Sequence, residues 1–244
     1  MSPMSRNSPA LSIESASVQD YVKVIYTSTE WQDQRVTPSQ LAARLGVANS
    51  SVTGMVRKLV DLGLAVHQPY QPVELTREGK ALALAMVRRH RLIETFLVQE
   101  LGYAWDEVHD EAELLEHTVS DTFVGRLSAK LRHPTRDPHG DPIPAADGTV
   151  QMPAAHQLGQ LDPGHTGHII RISDANPELL RFLSTEEIGL DDRVEVMGHR
   201  PFGGSLVVRI GSAERPREID LGQEATAALW VASDGPHENC ALRA

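Results

Sequence analysis

The chain has 244 residues, 41% of them hydrophobic, with a formal net charge of −10 and one cysteine. This length suits one large domain or two to three small ones, and no apolar run is long enough to span a bilayer. Residues 1–10 are polar and contain no signal-peptide core. Because Cys240 has no partner for an internal disulfide, the composition predicts a protein of the reducing cytoplasm with no membrane contact.

The charge is unevenly distributed along the chain. Over residues 35–92, nine basic residues against three acidic ones give a local net charge of +6. Over residues 93–121 there are nine acidic residues and no Lys or Arg, which gives −9. The first segment is therefore suited to a phosphate backbone and the second to cations.

The first predicted element is an amphipathic helix over residues 13–31. Its apolar positions follow helical spacing and are Val18, Tyr21, Val22, Ile25 and Tyr26. Asp20 lies at the edge of this stripe, where the helix dipole by itself favours a carboxylate in the first turn.

The next two predicted helices form a helix-turn-helix. Thr37 is a suitable N-cap with Pro38 at the first helical position, and Gly46 ends this helix. The second helix, over residues 49–59, buries an apolar face and exposes small polar and basic side chains. The candidate DNA contacts are Thr37, Ser39, Gln40, Asn49, Ser50, Ser51, Thr53, Arg57 and Lys58. A small three-helix core without a role in DNA binding is the alternative.

A predicted hairpin follows the helix-turn-helix. Short strands over residues 64–67 and 73–75 flank a turn that contains two prolines. Such a hairpin after a helix-turn-helix is the wing of a winged helix.

Two longer helices are predicted over residues 81–101 and 108–131, with Gly102 between them. The first begins before the acidic segment of residues 93–121, and the second begins within it. They are apolar on more than one side, which suits an antiparallel pair that dimerises, as a palindromic DNA site requires. His90 and Glu94 lie four residues apart on the first of these helices and therefore share a face.

The second of these helices carries a polar stripe. His109, Glu113, Glu116 and His117 share one face at helical spacing. Two imidazoles and two carboxylates can hold a divalent metal without any cysteine. A charged helix with two incidental histidines is the alternative explanation.

The last third of the chain changes in character. Six of the fifteen prolines lie between residues 133 and 163, which indicates a linker. His133, His139 and His156 are expected to be exposed to solvent. Short strands are predicted over residues 168–172, 193–197, 206–210 and 218–221, with a helix over residues 176–184 and a last strand or helix over residues 228–232.

Several motifs occur in an order that resembles the DtxR/MntR family of metal-responsive repressors. They are residues 20–26, the helix-turn-helix and wing, and residues 89–94, 108–113, 115–117, 120–121 and 137–144. The C-terminal strands resemble the SH3-like, FeoA-type domain that many iron-type members carry.

The resemblance implies two metal sites. Carried over residue by residue, the primary site consists of Asp20, Glu113, Glu116 and His117. The second site consists of His90, Glu94 and His109, with Asp174 as the candidate ligand from the FeoA-type domain. A solvated turn is the alternative role of Asp174.

The ligand types favour manganese. In iron-type members, methionine and cysteine occupy the positions of Asp20 and Glu113, whereas manganese-responsive members carry carboxylates at both. Mn²⁺ suits sites rich in oxygen, and because it is the weakest binder of its series, Fe²⁺, Co²⁺ or Zn²⁺ are also expected to bind in vitro. Some manganese-responsive members have a further Glu where this chain has Lys23, so a closely spaced two-metal cluster is not expected.

We therefore predict a mainly α fold with a small β part. It comprises a disordered N-terminus (1–12), a winged helix-turn-helix DNA-binding domain (13–80), a helical dimerisation and metal-binding domain (81–145), a linker (146–162), an SH3-like β-barrel (163–233) and a disordered tail (234–244).

The predicted function is that of a dimeric, Mn²⁺-activated repressor. It binds palindromic operator DNA, regulates manganese uptake genes, and has no enzymatic site and no small organic substrate. The alternatives are an Fe²⁺-dependent repressor of the same family, a metal-dependent hydrolase that uses residues 109–117, and a winged-helix sensor of a small organic ligand.

Overall fold

The computed structural model describes residues 13, 15–31, 36–68, 71–202, 204–211 and 216–235. The chain forms two compact units. The first comprises Met1–His90, Glu116–Val119 and Pro144–Thr149, and the second comprises Arg91–Leu115, Ser120–Ile143 and Val150–Ala244. The predicted disordered N-terminus, and the predicted tail beyond residue 235, lie outside the described residues.

The first unit is a winged helix-turn-helix, as predicted. Its helices are α1 (Ala16–Glu30), α2 (Pro38–Leu45) and α3 (Asn49–Asp61), and α4 (Arg77–Leu101) begins in it. Between α3 and α4, the antiparallel strands β1 (Ala65–Val66) and β2 (Glu74–Leu75) form the wing. The core side chains come from the four helices, from β1 and from the residue just before β2, and include Val18, Val22, Ile25, Leu41, Val52, Val56, Leu59, Ala65, Val73 and Ala83.

Local signals explain where α2 begins and ends. The Thr37 side chain accepts a hydrogen bond from the Gln40 backbone N–H, and the Gln40 side chain accepts one from the Thr37 backbone N–H, which is a complete capping box. Gly46 ends α2 with a left-handed φ of 63°, a conformation that glycine adopts without strain.

The helical part of the second unit differs from the prediction. The single helix predicted over residues 108–131 is wrong, because α5 (Val108–Leu115) and α6 (Asp121–Lys130) are separate helices. Ser120 caps α6, its side chain accepting a 3.2 Å hydrogen bond from the Phe123 backbone N–H. The β-branched residues Thr118 and Val119 before this cap also disfavour a continuous helix.

The rest of the second unit is built on one six-stranded antiparallel sheet, in agreement with the predicted SH3-like fold. Its strands are β3 (His156–Gln157), β4 (Thr166–Ile172), β5 (Arg193–His199), β6 (Leu206–Gly211), β7 (Arg217–Leu221) and β8 (Leu229–Ser233), in the order β3-β8-β4-β5-β6-β7. Helices α7 (Pro177–Thr185) and α8 (Gln223–Ala228) connect strands of this sheet. Residues predicted as linker, up to 162, include β3 and a 3-10 helix, Leu158–Gln160.

The longest helix, α4, spans 25 residues and carries charged side chains along its length. In the described part of the chain, no helix is long and apolar enough to cross a membrane.

Two helical glycines in the first unit have opposite surroundings and give the first test of the fold. A Cβ atom on Gly79 would lie 1.9 Å from the Leu64 carbonyl oxygen, whereas one on Gly54 would meet nothing within 4 Å. We expect Gly79→Ala to lower the free energy of unfolding by about 1–3 kcal/mol, because backbone must move. Gly54→Ala should raise it by about 1 kcal/mol through helix propensity. Urea unfolding of the two variants measures both values, and equal stabilities would contradict this packing.

Candidate metal centres

Three predicted ligands of the primary site come together in the first unit. Asp20 lies on α1, and Glu116 and His117 lie in the segment that follows α5. Each offers one ligand atom, and these atoms lie within 4.8 Å of one another. We call these three residues the Asp20 cluster. The fourth predicted ligand, Glu113, belongs to the second unit.

His117 is oriented through both ring nitrogens. Nδ1 lies 2.8 Å from the Gln19 side-chain oxygen, which can only accept, so Nδ1 carries a proton. Nε2 faces the carboxylates, at 2.8 Å from Asp20 Oδ1 and 3.6 Å from Glu116 Oε1. A histidine that donates through one nitrogen and faces carboxylates with the other is held as metal-binding histidines are. The donor set of the Asp20 cluster therefore fits a divalent cation.

Glu116 is fully buried and is already paired with two nitrogen groups. Lys23 Nζ lies 2.6 Å from Oε1, and His90 Nδ1 lies 2.6 Å from Oε2. Burial would raise the pKa of Glu116, but the hydrogen bond from His90 and the charge of Lys23 lower it below its usual range. The stability that ionised Glu116 contributes is therefore present above its unfolded pKa and lost as the pH falls below it.

Sequence reasoning noted Lys23 only as a departure from the family pattern and missed its contact with Glu116. The available signal was its position one helical turn from Asp20 and next to the apolar stripe. A lysine that is buried there, as Lys23 is, needs an anionic partner. The buried ammonium group of Lys23 thus lies next to Glu116, a predicted metal ligand.

Removing this internal cation should strengthen metal binding. We expect Lys23→Met to tighten Mn²⁺ binding at least about tenfold, because a nearby ammonium repels a divalent ion by more than about 1.4 kcal/mol at an effective dielectric constant near 20. Metal-free Lys23→Met should lose about 1–3 kcal/mol of stability, because the buried Glu116 carboxylate loses its hydrogen-bonded ion pair with Lys23. Calorimetric Mn²⁺ titration measures the affinity. The exposed Lys130→Met is the matched control, and unchanged affinity in Lys23→Met would contradict the repulsion.

Three predicted ligands of the second site come together in the second unit. His109 Nδ1 lies 3.4 Å from Glu94 Oε1 and 3.3 Å from Asp174 Oδ2. Glu113 Oε1 is 3.7 Å from His109 Nε2 in the same unit. The remaining predicted ligand, His90, is four residues before Glu94 on α4 and belongs to the first unit.

His109 and Asp174 shift each other's titration strongly. Burial would lower the pKa of His109, but hydrogen bonds with Asp174 and Glu94 raise it to about 11. Burial would raise the pKa of Asp174, but the hydrogen bond with His109 holds it well below its usual range. In the metal-free protein the pair is therefore ionised around neutral pH.

This ion pair predicts a stability loss at alkaline pH. Since the folded pKa of His109 is raised, its stabilisation is complete below pH 6.5 and is lost as the pH rises towards about 11. Because 44% of the His109 side chain is exposed, solvent screens the pair and makes the effect modest. We expect His109→Gln to show a smaller fall in melting temperature between pH 6.5 and 9.5 than the metal-free parent. The exposed His199→Gln should follow the parent, and parallel curves for His109→Gln would count against the pair.

The predicted DNA contacts lie on the surface of the first unit. Asn49, Ser50, Ser51, Thr53 and Arg57 are exposed on α3, and Lys58 is partly exposed. Thr37, Ser39 and Gln40 are exposed at the start of α2. The opposite face of α3 is buried through Val52, Val56 and Leu59, so the helix presents its polar face to solvent.

The expectation that His139 is solvent-exposed is wrong. It is 0% exposed, and its Nε2 lies 2.8 Å from the Trp105 carbonyl oxygen. The proline-rich segment around it folds back on itself, with Asp137 N–H donating to the Asp141 carbonyl oxygen. High proline content indicated a loop correctly, but it does not show whether a loop is packed.

Family models cover most of the chain. An iron dependent repressor N-terminal DNA binding domain matches residues 15–73, an iron dependent repressor metal binding and dimerisation domain matches residues 76–145, and a FeoA domain matches residues 156–233. The diphtheria toxin repressor of Corynebacterium diphtheriae is 36% identical over 171 residues, which cover 69% of this chain and 71% of that protein. The chain belongs to the DtxR family. Its members are transcriptional repressors, not enzymes.

Two further DtxR-family relatives bear on the choice of metal. The iron-dependent repressor IdeR of Mycobacterium tuberculosis is 34% identical over 156 residues, which cover 63% of this chain and 64% of that protein's length. A solved structure described as a manganese-dependent transcriptional repressor complex with manganese is 52% identical. The alignment covers 88% of this chain and 99% of the chain in that structure, with a TM-score of 0.84. This chain therefore aligns both with a relative that is named for iron and with one that is named for manganese.

Proposed function

We propose that this protein is a dimeric, Mn²⁺-activated transcriptional repressor that binds palindromic operator DNA and regulates manganese uptake genes. The main support is the composition of the Asp20 cluster, which consists of two carboxylates and one imidazole with no sulfur. Such a donor set suits a hard ion such as Mn²⁺.

The ion would be held by Asp20, Glu116 and His117, with Glu113 as the fourth ligand that the sequence assigns. When bound, it supplies positive charge that neutralises the carboxylates of this site. Gln19 keeps the His117 ring turned towards these carboxylates, and Lys23 with His90 keeps Glu116 in place in the metal-free protein.

DNA binding would use the exposed face of α3. Its first turn offers Asn49, Ser50 and Ser51 for base edges or phosphate oxygens, and Arg57 and Lys58 can contact the phosphate backbone. The local net charge of +6 over residues 35–92 supports this role against the overall charge of −10. By linkage, a metal that favours the DNA-binding state is itself bound more tightly in the presence of DNA.

Fe²⁺ is the second candidate metal. His109, with Glu94 and Asp174 each within 3.4 Å of its Nδ1, resembles part of the separate second site of iron-type members, and IdeR is described as iron-dependent. Against Fe²⁺, the positions of Asp20 and Glu113 lack the sulfur ligands of those members.

Operator binding in the presence and absence of metal tests the proposal. We expect Mn²⁺ to increase operator affinity by about 5–150-fold, the usual range of allosteric coupling. Asp20→Ala should lose this gain but keep weak, salt-sensitive DNA binding, because the basic face of α3 is unchanged. The exposed His199→Ala is the control. Fluorescence anisotropy with an operator duplex measures the affinities, and a metal-independent affinity would exclude the proposal.

The choice of metal is tested by exchanging two ligands. Asp20→Met combined with Glu113→Cys should shift the preference from Mn²⁺ towards Fe²⁺, because thioether and thiolate ligands favour softer ions. Anaerobic competition between the two ions, read as operator binding, measures this preference. If the parent already responds more strongly to Fe²⁺, the second candidate replaces the first.

A further inference from the structure

Gly54 lies in the middle of the exposed face of α3. It is the sixth of the 13 residues of this helix, and it is exposed. Ser50 lies about one turn before it and Arg57 about one turn after it, so the three residues share a face. The opposite face is buried through Val52 and Leu59. Gly54 is therefore on the side of α3 that is turned away from the core.

The helix itself gives no reason for a glycine at this position. Apart from proline, glycine is the least favourable residue in a helix interior, because its backbone loses the most freedom on folding. The backbone at Gly54 is α-helical, a conformation that every L-residue adopts, and the helix continues to Asp61. Neither a turn nor a helix end therefore requires glycine here.

Packing within the fold gives no reason either. A Cβ atom on Gly79 would lie 1.9 Å from the Leu64 carbonyl oxygen, so that glycine permits a close contact inside the first unit. A Cβ atom on Gly54 would meet nothing within 4 Å among the described residues. The missing side chain at Gly54 thus lowers helix stability without improving the packing. A glycine of this kind is expected where the backbone approaches a ligand closely.

The surface around Gly54 is low on the N-terminal side and basic on the other. Ser50 is small, and the Thr53 hydroxyl donates a 3.0 Å hydrogen bond to the Asn49 carbonyl oxygen, which holds that side chain against the helix. The first long side chain on this face is Arg57, which is exposed. The face is therefore flattest at Gly54 and in the turn before it.

These features fit a helix that enters the major groove of DNA with its N-terminal half. The exposed carboxylate of Asp61, at the C-terminal end of α3, would be repelled by phosphates and belongs outside the groove. The groove is about 12 Å wide and a helix with its side chains is about 10–12 Å across, so little room is left. A methyl group at residue 54 would add about 1.5 Å, one carbon–carbon bond, on the side of the bases. Hydrogen bonds need donor–acceptor distances of about 2.7–3.2 Å, so a helix held off by that amount loses its contacts with the base edges.

We propose that Gly54 is the point at which α3 comes closest to the base edges of operator DNA, and that its missing side chain lets the small polar residues beside it reach those edges. This inference rests on the proposed function, since it requires that the exposed face of α3 meets DNA. It gives a residue without a side chain a part in sequence recognition, and it explains why α3 is less stable than an alanine would make it.

Binding of selected and scrambled DNA tests this role. The first probe is a duplex that the parent protein, with Mn²⁺ present, enriches from a random-sequence pool, and the second is a scrambled duplex of the same composition. Fluorescence anisotropy at one fixed salt concentration measures both affinities for the parent, Gly54→Ala and Gly54→Leu. Gly222→Ala is the matched control, because it adds the same methyl group to an exposed glycine of the second unit with nothing within 4 Å among the described residues.

We expect Gly54→Ala to bind the selected duplex at least about tenfold more weakly than the parent, and Gly54→Leu more weakly still. Binding of the scrambled duplex should change by less than about twofold, since it depends on phosphate contacts rather than on base edges. The urea midpoint of Gly54→Ala should rise, which excludes unfolding as the cause of the lost affinity. Parent-like affinity of both variants for the selected duplex would overturn the proposal, and so would an equal loss on the two duplexes.

The same measurements without Mn²⁺ separate this proposal from the proposed function. If the parent responds to Mn²⁺ and the Gly54 variants bind like the parent, only the role of Gly54 is overturned. If the parent binds the selected duplex equally with and without Mn²⁺, the metal response is overturned, while a tenfold loss in Gly54→Ala still supports the role of Gly54. A parent that enriches no sequence from the pool would overturn both.

Discussion

The buried carboxylate of Glu116 is the constraint on which the first unit depends. A fully buried carboxylate is costly unless it is paired and hydrogen-bonded, and here Lys23 and His90 provide both. These contacts join α1, the first half of α4 and the segment Glu116–Val119. His117 follows directly and faces Asp20, so the pairing of Glu116 also places the candidate metal ligands.

The same arrangement of carboxylates and nitrogen cations recurs in the second unit. His109 lies between Glu94 and Asp174, and Arg91 lies near Asp137 and Asp141. Such pairs hold the ligand side chains in place before a metal binds, which lowers the entropy lost on binding. These pairs also compete with the metal, because the histidine proton or the lysine ammonium must leave the ligand before the metal can bind to it. The metal response of this protein is therefore expected to depend on the residues next to the ligands as much as on the ligands.

Much of the fold could be predicted because local signals agreed with one another. The capping box at Thr37, the left-handed Gly46 and the apolar spacing of α1 and α3 act over a few residues. The single helix predicted over residues 108–131 was wrong between residues 116 and 120. The polar and apolar spacing continues through this stretch, but the backbone leaves the helix there and Ser120 caps the next helix. Periodicity reports which residues could share a face, but it does not report whether the backbone between them stays helical.

The sequence by itself determined the element types, the separation of basic from acidic segments and the residue types available for metal and DNA. These depend on spacing and composition, which are properties of a linear chain. Only the tertiary structure decided which of the residues meet. It paired Glu116 with Lys23, placed His109 against Asp174, and buried His139 beside Glu94 and Asp137. Such contacts join residues tens of positions apart, and their energies depend on burial, which sequence spacing does not record.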